Sequence, residues 1–237
     1  MILARNCPHD NGIYTLIDNV EGVVIKSSYS ADGIARLSRE YAGYQWYLRQ
    51  KGSFDSAPLR FAKHDNGLYG RLYIKLFSGR LGECYKNLSY NQYDLSKAID
   101  AYAKVWPRQK GRLAPLHGDF SLGNLIIHGE ELTIIDWEHF QPDAAPWGFD
   151  LANLLYESAF FSFKGGNTLS RSDRQVFVET RKAICTLLDP GEDFNCTIEN
   201  LTQFISTNVP VWGDLVNKLP VMKFIIAQRV YLMQLEH

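Results

Sequence analysis

The stretch LHGDFSLGNLIIHGEELTIIDWEHF, residues 116–140, sets Asp119, Asn124 and Asp136 around two short apolar runs. LIIH (125–128) and LTIID (132–136) read as strands, with Gly129-Glu130-Glu131 between them. A hairpin folds the chain back on itself, so Asn124, just before the first strand, and Asp136, closing the second, are expected near each other. Asp119 lies five residues before Asn124, in a loop tightened by Gly118 and Gly123. Two carboxylates and an amide thus gather at one edge. Oxygen donors too few for a full protein cage suit Mg²⁺, which keeps waters and takes further ligands from phosphates. Any one of these residues is an ordinary turn residue beside glycine; their order as a set argues for chemistry.

HGDFSLGN followed by IIDWE resembles the signature of the aminoglycoside phosphotransferase and choline kinase family, relatives of protein kinases: HxDxxxxN, then an apolar strand ending in Asp. PWGFDLANLLYES (146–158) is similar to the helix start that follows in that family, where an Asp such as Asp150 supports the catalytic loop. The resemblance implies a protein-kinase-like fold of class α+β, with a small β-rich N-terminal lobe and a larger helical C-terminal lobe. It implies transfer of the γ-phosphate of ATP or GTP to a hydroxyl, with Asp119 as catalytic base and Asn124 and Asp136 as Mg²⁺ ligands. Such chemistry asks for positioning and charge neutralisation more than for covalent steps. His117 is expected to brace the loop by hydrogen bonding.

The elements that must position these residues start with strands. IYTLID (13–18) and VVIKSS (23–28) are β-branched and joined by NVEG. In residues 31–52 Ile34, Leu37, Tyr41, Tyr44 and Leu48 recur at helical steps, and Gly52 is a stop signal. LRFAKHD (59–65) and LYGRLYIKLFSG (68–79) form a second hairpin about Asn66-Gly67. By the kinase-like resemblance, Lys26 on its strand reaches the nucleotide phosphates and pairs with Glu40 on the helix. Backbone groups near Lys75 and Phe77 then meet the purine edge. Arg36 and Arg39 read as surface charges. No GxGxxG precedes the first hairpin; NCPHDNG (6–12) stands there, with His9, Asp10 and Asn11 as a turn or a phosphate cover.

After Gly79 the pattern turns helical: 93–111, then 148–163, 171–188, 195–208 and 220–236 beyond the polar hairpin. The expected division is residues 1–78 as a nucleotide-binding lobe and 79–237 as a helical lobe with catalytic loop and acceptor site.

Bulk properties fit an enzyme of this size. With 25 basic against 26 acidic side chains there is no basic excess for a nucleic-acid partner. Four cysteines, with no CxxC pair, argue against zinc and a disulfide scaffold. No apolar run reaches the roughly 18 residues of a membrane span, and no signal peptide is evident, so a cytoplasmic location is expected.

The acceptor is the least legible part. Trp137, Glu138, Trp147, Glu157, Phe160, Trp212 and Tyr231 offer aromatic and acidic groups, compatible with choline, ethanolamine, a sugar or an aminoglycoside. A partner subunit completing an open site, hence an oligomer, stays open. Two alternatives stand beside the small-molecule kinase: a pseudokinase binding nucleotide or a partner without turnover, and a protein kinase. The absence of an APE-type segment after Asp136 disfavours the latter.

Overall fold

β-branched runs at 13–18 and 23–28, with burial alternating along 69–75, build the N-terminal sheet, and a helix laid on one face completes it. The computed structural model describes residues 2–5, 12–53, 58–108, 112–163, 168–188, 195–203 and 227–236. Strands β1 (Ile2–Arg5), β2 (Ile13–Asp18), β3 (Val23–Ser28), β4 (Arg60–His64) and β5 (Tyr69–Lys75) form one antiparallel sheet in the order β1-β2-β3-β5-β4. The register sets Lys26 opposite Leu72, Val24 opposite Ile74 and Ser28 opposite Gly70. Because side chains alternate faces along a strand, these six share one face.

Helix α1 (Ala31–Gln50) covers that face: Gly70 lies against Ile34, and Gly33 against Ser28. Ser30 caps it, its hydroxyl accepting from the Gly33 N–H at 3.0 Å. Lys51 and then Gly52, with φ +64, end it. Leu37, Tyr44, Tyr47 and Leu48 are buried. Arg36 is buried as well, and Arg39 is half-buried, so neither is the surface charge expected. Both engage a carboxylate or carbonyl described below.

The remaining strands are short: β6 (Arg80–Leu81), β7 (Ala114–Leu116), β8 (Leu125–His128), β9 (Glu131–Ile134) and β10 (Gln141–Ala145). They form a β6-β8-β9 sheet and a β7–β10 pair. The β8–β9 hairpin turns on two residues, since His128 pairs with Glu131. Gly129, with φ +55, takes the first turn position, the left-handed placement that tight hairpins favour. The second strand therefore ends at Ile134 and not at Asp136, whose φ of 63° breaks the extended run.

The helices are α2 (Gln92–Val105), α3 (Phe149–Ser162), α4 (Arg171–Leu187) and α5 (Arg229–Glu236); residues 198–203 are also helical. α2 stops six residues before the expected 111, because Pro107 disfavours a helical conformation at Trp106, which takes ψ 114°. Trp106 stacks on Tyr102 with centroids 4.2 Å apart, beside Phe120 and Trp147. These rings with Leu95, Leu151 and Leu155 form the core of the helical region.

The chain divides into two compact units: Met1–Gly79 with Ile135–Gln141, and Arg80–Ile134 with Pro142–His237. The seven residues after the hairpin thus return to the N-terminal unit. No helix among the described residues is long and apolar enough to cross a membrane.

Candidate active site

In the N-terminal unit three charged side chains converge. Lys26 Nζ lies 2.8 Å from Glu40 Oε1 and 2.7 Å from Asp136 Oδ1. Strand alternation points Lys26 at α1, and Glu40, seven residues after Gly33 and three after Leu37, falls on the helix face turned to the sheet. Glu40 is fully buried, the Lys26 side chain is 17% exposed and that of Asp136 37%. Asp136 is therefore the arm of the trio open to solvent. Its backbone N–H donates to the Tyr44 hydroxyl at 3.3 Å.

The electrostatics follow from this burial. Desolvation pushes the Glu40 carboxyl up to about 7, against the pull of Lys26 and reinforced by Asp136. Burial works against the charge on Lys26, yet Asp136 and Glu40 together hold its pKa well above the usual lysine value. The lysine stays a cation, and the second oxygen of Glu40, Oε2, is buried with no hydrogen-bond partner.

The C-terminal unit holds the loop between β7 and β8. Asn124 Nδ2 donates to the Asp119 carbonyl at 2.8 Å and to Asp119 Oδ2 at 2.9 Å. Both amide hydrogens are thereby engaged, which leaves the amide oxygen of Asn124 as the atom with lone pairs to offer. The loop is anchored from below by Asp150, which is 1% exposed in the first turn of α3. Asp150 accepts from the His117 N–H at 2.8 Å and the Gly118 N–H at 3.2 Å. His117 is fully buried and its Nδ1 accepts from the Asp119 N–H at 3.2 Å, a bracing role.

Lys26, Glu40 and Asp136 are thus brought together in one unit, and Asp119 and Asn124 in the other. Across β8 and β9 Leu125 pairs with Ile134, so Asn124 stands one residue before that pair and Asp136 two after it. Lys75 ends β5 and is exposed, while Phe77 is half-buried. Between them the Leu76 N–H is already committed to the Gly22 carbonyl at 2.7 Å. His9, Asp10, Asn11 and Trp212 lie outside the described residues. Arg36 and Tyr44 stand four residues before and after Glu40, the spacing that marks them as its helix-face neighbours, and Arg39 adjoins it in sequence; none of the three was expected at the site.

A lysine bridged to a helix glutamate and a solvent-reachable aspartate, with a separate Asp–Asn loop, is a charge pattern compatible with phosphotransfer. The model of the phosphotransferase enzyme family matches residues 34–184. The chain belongs to that family. Glu40, Asp119, Asn124, Asp136 and Asp150 all lie inside the matched span, and Lys26 precedes it. Among solved structures the chain is similar to the choline kinase LicA from Streptococcus pneumoniae, at 14% identity and a TM-score of 0.37, covering 87% of this chain and 92% of that one. No curated protein sequence gives a significant match.

Proposed function

We propose that the protein transfers the γ-phosphate of ATP or GTP to a hydroxyl of a small molecule, in the presence of Mg²⁺. The observation that carries this is the contact of Lys26 with both Glu40 and Asp136 in a member of a phosphotransferase family. Lys26, kept cationic by its two carboxylates, pairs with the nucleotide phosphates, and Glu40 orients it. The backbone at Lys75 and Phe77 receives the purine edge.

Asp136 and Asn124 would hold the metal. The donors fit: Asp136 offers a partly exposed carboxylate, and Asn124 an amide oxygen whose N–H groups are occupied elsewhere. Among the described residues no three His, Cys, Asp or Glu side chains converge as a cage, so water and phosphate would fill the rest of the shell. When bound, Mg²⁺ neutralises phosphate charge. Asp119 orients the acceptor hydroxyl and takes its proton as the oxygen attacks phosphorus.

The acceptor is a small alcohol such as choline, ethanolamine, a sugar or an aminoglycoside. The test is ADP release by the purified protein with Mg-ATP or Mg-GTP across that panel, with Asp119→Ala as blank. Turnover with one acceptor, lost in the variant, supports the reading. Nucleotide binding without turnover on any acceptor would favour a pseudokinase, and no nucleotide binding would sink the assignment.

A further inference from the structure

Asp136 sits in the left-handed region, φ 63°, which is strained for a non-glycine residue and persists only where the surroundings impose it. One broad face of α1 imposes it here. The Asp136 N–H donates to Tyr44, and two residues on, the Glu138 carbonyl accepts from Arg39 Nε at 3.0 Å. Arg36 Nη1 stands 4.0 Å from the Glu138 carboxylate. The turn between is closed by the Phe140 N–H on the Trp137 carbonyl at 2.9 Å. Trp137 is fully buried, with its ring 5.3 Å from that of Tyr47 and 5.6 Å from that of Trp46.

Gly43 makes this seat possible. A Cβ there would lie 2.5 Å from Trp137 Cβ and 2.9 Å from Phe140 Cβ, closer than carbon atoms approach, so the helix meets the segment backbone to side chain with no room to spare. Positions 36, 39, 40, 43, 44 and 47 recur at helical steps and span one face.

We propose that Arg39 is a positioning residue for Asp136, acting through the Glu138 carbonyl, with Gly43 as the contact that lets the segment seat. α1 then sets both partners of Lys26 together: Glu40 through its own side chain, and Asp136 through the backbone it grips. Any shift of the helix carries the carboxylate with it. This rests on the role given to Asp136 above.

The test has two readouts. First, hydrogen exchange of residues 135–141 is followed by mass spectrometry without ligand in wild type, Arg39→Ala, Arg39→Lys and Gly43→Ala. Arg39 is half-buried, so its variants are expected to fold even if Gly43→Ala does not. Exchange in Arg39→Ala should speed up about tenfold, the value of one hydrogen bond, with β2 and β3 unchanged and Arg39→Lys close to wild type. Unchanged exchange overturns the grip. Second, the affinity for Mn-ADP should fall about tenfold in Arg39→Ala and recover in Arg39→Lys. Faster exchange with wild-type affinity would leave a structural contact and overturn the positioning role. Asp136→Ala separates the two ideas: if it binds Mn-ADP as well as wild type, the metal-ligand reading of Asp136 fails and the proposal fails with it.

Discussion

Asn124 donates twice to Asp119, once to its carbonyl and once to its carboxylate, at 2.8 and 2.9 Å. The residue proposed to bind metal therefore also shapes the residue proposed to take the proton. Asn124→Asp turns the donor into an acceptor and sets two carboxylates against each other. We expect phosphotransfer to fall at least about 10²-fold, the scale of a lost general base. Asp119→Asn should lose a similar factor with nucleotide affinity nearly unchanged. Steady-state kinetics beside calorimetric titration separate the two.

Asp150 holds the His117 and Gly118 backbone N–H groups from a buried position. Asp150→Ala leaves both unsatisfied, at a cost of about 3 kcal/mol for charge-assisted bonds. Asp150→Asn keeps one acceptor oxygen and should lose less than half as much. Urea unfolding of both variants checks the order; equal losses would contradict it.

Lys26→Met strands the buried Glu40 without its cation. Breaking a buried pair from one side costs roughly 3–5 kcal/mol, whereas replacing both partners by apolar groups is often neutral. The double variant Lys26→Met with Glu40→Leu should therefore be more stable than the single one while remaining inactive. Thermal unfolding and ADP release read the two effects separately.

Burial lifts the Glu40 carboxyl from 4.5 to about 7, so the folded protein holds this proton more tightly than the unfolded chain does. The linked stabilisation is full below the unfolded value and is lost as pH rises through about 7. Relative to Glu40→Gln, wild type should lose roughly 3 kcal/mol between about pH 4.5 and pH 8 in metal-free buffer. Urea midpoints of the pair across that range measure it; a flat difference would show that Lys26 keeps Glu40 ionised throughout.

Much of the site was legible because its parts are local. The HGDFSLGN loop, the two apolar runs and the strand–Lys–helix–Glu order depend on spacings of a few residues, and α1 announced its buried face by three- and four-residue steps. What stayed hidden depends on partners far along the chain. Nothing around Gly43 in sequence says that Trp137 and Phe140 will press on it, and Arg39 looks solvated until Glu138 arrives 99 residues later. Asp136 was read as the last residue of a strand because an apolar run does not reveal where φ changes sign. The short pair β7–β10 escaped for a related reason: QPDAA has neither alternation nor β-branching, and it is a strand only by virtue of its neighbour.

The return of Ile135–Gln141 to the N-terminal unit has a consequence for how the protein is made. A nascent chain that has reached Gly79 already holds the five strands and α1, but not the indole that fills the space beside Tyr44, Trp46 and Tyr47. Trp137 leaves the ribosome 58 residues later, several seconds at roughly 5–20 residues per second. During that interval a cluster of aromatic side chains on α1 waits uncovered. The N-terminal unit, first to be translated, is thus not first to be complete, and its cotranslational folding ends only after the loop of Asp119 and Asn124 has emerged.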